Sequence, residues 1–386
     1  MKLAIVGAGN AACITALSYH LYGQIRSNKI KEIEIYYDPN IHIERVGQGS
    51  VPVIGKIVSQ VLGVNYYDKD NLIKATVKNG ALYENWGKNT PKHMHPFLMS
   101  DMSIHYSPHL LSKAVLESGL FKVVEKNIDD PESQIDSDFI FDCRGRHTNK
   151  QDDYYNLINP VNSVLLGESN SKECDINWTR AVATPDGWTF VIPKTTQNTS
   201  YGYLYNDKIT SIEEASANFE KLFDFSKGEI EKKTSLKFNN YIAKRPIIDD
   251  RIILGGNRLF FLEPLEATAI QAYLFWAQRT FWWIIDKRSN PNFATQELYK
   301  YTTQLQNFIL WHYVFGSKYN TPFWRYAQEF TINDDEFHKI VFAIKKFSLI
   351  DIIDDRIDIG VSPHGYGQWM PWSFKNWYEG MKNDKS

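Results

Sequence analysis

Cysteine is scarce in this sequence and poorly spaced for chemistry. Cys13, Cys143 and Cys174 are the only three in 386 residues, and they lie far apart. A C-x-x-C thiolate metal site and a disulfide framework therefore lack support, and a reducing cytoplasm fits best. Charge of one sign is also missing: 43 Lys and Arg stand against 45 Asp and Glu, a formal charge of −2. Nothing supplies the basic excess that neutralising phosphates requires, so nucleic acid is not an expected partner. No apolar run reaches the ~18 residues of a membrane span. Even the stretch from Ile270 to Ile285 contains Gln271, Gln278 and Arg279, and reads as a buried helix. The start from Met1 to Leu17 imitates a signal peptide, but the glycines inside it have another use.

What the chain does have is 43% hydrophobic and 23% charged residues, enough to bury a substantial core. A prior of roughly 150 residues per domain suggests two to three domains. Aromatic residues reach 14%, with Trp 11, Tyr 22 and Phe 22. Aromatic walls suit flat ligands, although core packing needs no ligand at all.

The apolar run Lys2 to Val6 stops at Gly7-Ala8-Gly9-Asn10-Ala11-Ala12 and passes into a helical pattern through about Tyr22. A second apolar strand, Ile33 to Tyr37, ends at Asp38. Strand, tight turn, helix and strand make a βαβ unit of the dinucleotide-binding kind. Gly7 and Gly9 let the backbone approach a pyrophosphate, Ala12 allows the helix to pack near the strand, and Asp38 takes the ribose hydroxyls. Further on, Pro108 to Ser118 reads as a helix, with strands over Lys122 to Glu125 and Asp138 to Asp142. Alternating strands fill Asn177 to Tyr205, residues 211 to 223 look helical, and Ile252 to Gly256 is a buried strand. Thr268 to about Phe347 is mostly helix with aromatic stripes. The chain is thus α/β, with an inserted sheet and a helical C-terminal part. It carries one dinucleotide fingerprint only, so a flavin held there would receive its electrons from another protein.

Several separated blocks resemble the flavin-dependent tryptophan halogenases, in the order that family shows. The turn at 7–12 is similar to its flavin fingerprint. Val46-Gly47-Gln48-Gly49-Ser50-Val51-Pro52 resembles its Gly-Glu-x-Thr-x-Pro flavin loop, with Gln48 and Ser50 replacing Glu and Thr. Val77-Lys78-Asn79-Gly80 through Trp86 resembles the stretch bearing the family's lysine. Gly187-Trp188-Thr189-Phe190-Val191-Ile192-Pro193 resembles Trp-x-Trp-x-Ile-Pro, with Phe190 for the second Trp. Gly256 through Phe261-Leu262-Glu263-Pro264-Leu265-Glu266-Ala267-Thr268-Ala269 resembles the Phe-x-Glu-Pro-Leu-Glu-Ser-Thr segment. Phe308 to Tyr313 and Thr321-Pro322-Phe323-Trp324 resemble its helical blocks. The length is similar to that of the family's short viral forms.

The resemblance implies a Rossmann-like FAD core of the flavin monooxygenase and halogenase type, formed by residues 1–90, 100–175 and 240–290. A β-rich insert over 176–239 and a helical part over 291–386 would then lie on the substrate side. It implies that FAD, supplied reduced, reacts with O2 and halide to give hypohalous acid, with Gly47, Gln48, Gly49, Ser50 and Gly256 joining Gly7, Gly9, Ala12 and Asp38 at the cofactor. Lys78 would hold the oxidant beside an aromatic carbon, and Glu266 would stabilise the cationic ring and take its proton. Glu263 is expected to be a helix N-terminal acid. Thr268 and Ala269 match the halide-binding pair. Ala267 and Ala269 replace Ser and Gly there, and Leu259 and Phe260 replace small residues, so bromide or iodide is expected over chloride. Trp311, Phe323 and Trp324 are the candidate walls for an indole, phenol or similar aromatic. A separate NAD(P)H-dependent flavin reductase is the implied partner, in the cytoplasm (of a host cell if viral), and a homo-oligomer is one option. No metal is expected: His93, His95, His105, His109 and Asp101 could be drawn as a cluster, but Pro108 spoils a continuous face. A flavin-dependent aromatic monooxygenase and a non-catalytic flavin-binding protein remain alternatives.

Overall fold

In the computed structural model the described residues are all except 27–28, 89, 98–101, 148–150, 171–176, 196–197, 229, 349–350, 353–368 and 382–386. Cys174 and Asp101 lie outside them. The strand Lys2–Val6 buries its four apolar residues, as a strand with neighbours on both edges and cover on both faces must. It pairs in parallel with Glu32–Tyr37 on one side and Phe139–Asp142 on the other. Lys122–Glu125 extends one edge, and Ile252–Leu254 with Ile247–Ile248 extends the other, completing six strands. The helix Asn10–Arg26 runs from the glycine turn and packs on the helix Thr268–Ile284, where the Tyr19 hydroxyl donates to Thr280 Oγ1 at 2.9 Å.

A second, seven-stranded sheet runs in the order Ile230–Lys237, Ser163–Ser169, Thr199–Tyr205, Gly187–Pro193, Trp178–Thr184, Gly80–Glu84 and Lys92–Pro96. Besides the residues expected as an insert over 176–239, this sheet takes three strands from earlier in the chain, Gly80–Glu84, Lys92–Pro96 and Ser163–Ser169. Gly80–Glu84 pairs in parallel with Trp178–Thr184, a junction across almost a hundred residues that no local pattern announces. Helices Pro291–Phe315, Pro322–Gln328, Asp335–Lys346 and Pro371–Met381 make up the C-terminal part. The first three are stopped at their N-termini by side chains: Asn290, Thr321 and Asp334 accept from the backbone N–H groups of Phe293, Trp324 and Phe337. Among the described residues no helix is long and apolar enough to cross a membrane.

Lys78 ends the strand Thr76–Lys78, which belongs to a small sheet with Gln48–Gly49 and Ser103–Tyr106. Two residues later the chain enters the seven-stranded sheet at Gly80. A Cβ at Gly80 would lie 2.2 Å from the His95 carbonyl oxygen and 2.8 Å from the Trp178 ring. Only glycine lets the backbone cross between sheets so tightly, and that crossing sets the direction of the lysine. Gly80→Ala should destabilise the fold by about 1–3 kcal/mol, read from the urea midpoint.

Candidate active site

The floor of the site is the glycine turn after the first strand. Gly7 has φ +117°, and a Cβ there would lie 2.8 Å from the Cys143 carbonyl oxygen, so the neighbouring strand end admits no side chain. At Gly9 a Cβ would meet nothing within 4 Å, which leaves space above the turn for a ligand. The helix that follows has no acidic residue in its first turn, so its N–H groups meet no negative side chain of their own. A cavity of about 1050 Å³ opens here, lined by Gly7, Gly9, Asp38, Gly47, Gln48, Gly49 and Gly256. The open floor, the helix N-terminus and Asp38 at the end of the second strand fit a flavin dinucleotide.

The same cavity reaches Lys78 and Glu266. Lys78 is only 5% exposed, and its Nζ donates to the Ser50 carbonyl at 3.0 Å and lies 5.5 Å from the Phe97 ring centre. Burial pushes its pKa down to about 8, opposed by the charge of Glu266. Burial pushes Glu266 up to about 7, opposed by Lys78 and by a hydrogen bond from the Trp369 side chain. The two groups thus share one cavity, near enough for each charge to act on the other, although distant in sequence.

Glu266 is aimed by strain. It has φ 64° and ψ 19°, and Ala267 follows with φ 54° and ψ 32°. Two successive left-handed residues with side chains cost on the order of 1 kcal/mol or more each. The α-helix begins at Thr268, directly after this bend.

Other expected residues fall elsewhere. Ala12 is buried in its helix and does not line the cavity. The Ser50 hydroxyl turns inward, sharing a hydrogen bond with Ser103 Oγ and donating to the Ile104 carbonyl, both at 2.7 Å; its contribution is the carbonyl that holds Lys78. Ala269 lines the cavity, and Thr268 opens the helix beside it, its hydroxyl donated to the Glu263 carbonyl at 3.2 Å. Trp311, Phe323 and Trp324 are not walls of this cavity. Trp311 packs on Phe315 and Phe374, and Trp324 on Trp86 and Tyr313 with its indole N–H given to the Thr184 carbonyl. Phe323 is buried against Tyr313.

Glu263 is not a solvated helix-end acid. It is fully buried, and its Oε1 accepts from Tyr313 OH at 2.6 Å and from Trp188 Nε1 at 3.2 Å. Its Oε2 has no partner, and burial pushes its pKa up to about 8. Trp188 in turn lines the cavity with Phe190.

Sequence reasoning missed Phe97 and Trp369, which carry no motif and lie beside Lys78 and Glu266 only through the fold. His95 stacks on Trp377 and Trp372 with ring centres at 4.0 and 5.0 Å, and His93 pairs with Asn376 at 2.9 Å. His105 meets Thr179 at 2.9 Å and His109 meets Ser107 at 2.7 Å. Among the described residues no group of three or more potential ligands could hold a metal ion.

Comparison with known proteins places this geometry in context. The family profile described as tryptophan halogenase matches residues 2–118 and 118–356. Tryptophan 7-halogenase RebH of Lentzea aerocolonigenes is 26% identical over 53% of this chain and 41% of its own length. Tryptophan 6-halogenase ThaL of Streptomyces albogriseolus is 26% identical over 46% and 34%. The matched region thus spans less than half the length of these relatives. Among solved structures, BrvH, a flavin-dependent halogenase from Brevundimonas sp. BAL3, superposes with a TM-score of 0.76 at 18% identity, covering 98% of this chain and 89% of that one. A tryptophan halogenase from Shewanella frigidimarina gives 0.78 at 17% identity, covering 100% and 89%. The fold is shared with these proteins.

Glu263 supplies a test of the buried network. Its folded pKa is raised from 4.5 to about 8, so between those values the native state keeps a proton that the unfolded state has lost. Its contribution to stability is complete below 4.5 and is lost as pH rises through about 8. Glu263→Gln, which stays neutral, should remove that part of the pH dependence and gain on the order of 1 kcal/mol or more over the parent at the alkaline end, measured by urea unfolding across the range.

Proposed function

The chain belongs to the tryptophan halogenase family, and on that premise we propose that it is an FAD-dependent halogenase of electron-rich aromatics. The observation that carries this reading is that Lys78, buried, and Glu266, half-buried, line the one cavity that rises from the glycine floor. Bound in reduced form, FAD would supply with O2 the two-electron oxidation of halide to hypohalous acid. Gly7, Gly9 and the N-terminus of Asn10–Arg26 would hold its pyrophosphate, and Asp38 its ribose. Only one dinucleotide turn is present, so the electrons come from a separate NAD(P)H-dependent flavin reductase.

The Lys78 ammonium, already a donor to the Ser50 carbonyl, holds the oxygen of the oxidant by a hydrogen bond and orients its halogen. The Glu266 carboxylate stabilises positive charge on the attacked ring and takes the departing proton. Such a pair works with Glu266 ionised and Lys78 protonated. The pH–rate profile should therefore be bell-shaped, rising near 7 as Glu266 ionises and falling near 8 as Lys78 loses its proton. Lys78→Ala and Glu266→Gln should each lower halogenated product at least ~100-fold while still binding FAD. Halide-independent hydroxylation retained by Lys78→Ala would favour an aromatic monooxygenase instead.

Around the helix start at Thr268, Ala267 and Ala269 bring no hydroxyl, and Leu259 and Phe260 are buried close upstream in the chain. Apolar surroundings cost chloride more than bromide or iodide, which shed water and electrons more easily. With bromide and chloride in equal amounts, mass spectrometry should find mainly brominated product; a chlorinated majority would refute the preference.

A further inference from the structure

Thr179 lines the same cavity as Lys78 and takes no part in the chemistry proposed above. It is half-buried on the strand Trp178–Thr184, in register with Ala81 of Gly80–Glu84, which also lines the cavity. Gly49 is the residue that both polar groups approach. A Cβ there would lie 2.8 Å from Thr179 Oγ1 and 3.3 Å from Lys78 Nζ. A side chain at 49 would crowd both groups, and its absence keeps the space in front of them clear.

Behind Thr179 stands His105, fully buried on the strand Ser103–Tyr106. Its Nε2 meets Thr179 Oγ1 at 2.9 Å, and its Nδ1 meets Thr76 Oγ1 at 3.4 Å. Thr76 Oγ1 in turn donates to the Pro193 carbonyl at 3.4 Å. A hydroxyl has one proton to give. With that of Thr76 on Pro193, Thr76 can only accept from His105, so the ring carries its proton on Nδ1. In the neutral ring Nε2 then has a lone pair alone, and the proton between it and Thr179 is the threonine's. The Thr179 hydroxyl is thus turned toward His105, and what it offers the cavity is its oxygen lone pairs. Lys78 offers the complement, an ammonium with three protons of which one is given to the Ser50 carbonyl.

We propose that Lys78 and Thr179 together hold hypohalous acid: the lysine donates to its oxygen, the Thr179 oxygen accepts its O–H, and His105 is the positioning residue that keeps Thr179 turned. The inference rests on the halogenase reading above. In the attack the ring's electron pair takes the halogen, the oxygen–halogen bond breaks, and the departing hydroxide meets the ring's proton as water. Hydroxide is a poorer donor than the acid, so the bond to Thr179 weakens in the transition state and does not speed the attack. Its worth is realised earlier, in keeping the oxidant from escaping before a ring is in place.

The test uses the full chain with FAD, a flavin reductase, oxygen, bromide and saturating indole, and a 1,3-diketone in the bulk solvent to trap escaped oxidant. The ratio of brominated diketone to brominated indole does not depend on how much of a variant is folded. Thr179→Val, which keeps the shape and loses the hydroxyl, should raise that ratio about fivefold, the worth of one neutral hydrogen bond. Thr179→Ser should stay at the parent's value. In flavin-free protein carrying 15N-histidine, NMR should find His105 protonated on Nδ1 and bare on Nε2. An unchanged ratio in Thr179→Val, an equal rise in Thr179→Ser, or a proton on His105 Nε2 overturns the proposal and leaves the halogenase reading standing. Bromination of the diketone alone by the parent also overturns it, since the oxidant is then not retained. If the parent brominates neither compound, the halogenase reading falls and takes this one with it.

Discussion

Everything at this site depends on a mutual tolerance: the buried Lys78 and the half-buried Glu266 line one cavity, and each charge eases the burial of the other. Desolvating a lone ammonium or carboxylate is expensive enough that it would simply neutralise. Sharing one cavity, the amine is pushed down and the acid up only part of the way, which leaves both near the pH at which cells work. The lysine still keeps the proton with which it donates, and the raised glutamate is a stronger base than an exposed one.

The fold spends effort to keep that pair together. Lys78 is delivered by a crossing between two sheets that only Gly80 permits, and it is tied to the Ser50 backbone. Glu266 is delivered by a bend of two left-handed residues, anchored on one side by the buried Glu263, Trp188 and Tyr313 cluster and on the other by the helix from Thr268. Strain of this kind persists only where surrounding contacts over-determine it. The neutral Glu263 differs sharply from its neighbour three residues on: it lies in a pocket with two hydrogen-bond donors and no cation in contact.

Much of this was legible in the residues. The glycine turn, the strand ending at Asp38 and the strand Lys122–Glu125 are local patterns, and local patterns survive folding. The lysine and glutamate blocks, and their convergence, were readable only through resemblance, since no periodicity links residue 78 to residue 266. Trp369 and Phe97 were invisible for the same reason. Trp311, Phe323 and Trp324 show a different limit: an aromatic stripe at helical spacing reports that a face is buried, not which neighbour buries it. Glu263 was misread because an acid beside a proline looks like a helix start, and nothing nearby in sequence foretells Tyr313 as its partner.

The two left-handed residues differ in what evolution or engineering can do with them. At position 267 the alanine methyl is a buried part of the cavity wall, and glycine would relax the backbone. At position 266 relaxation is barred, because the residue that would ease the bend lacks the carboxylate. A search for heat-resistant variants would therefore find its gain at one position and risk its cost at the next: a freer hinge at 267 would no longer hold the acid on target.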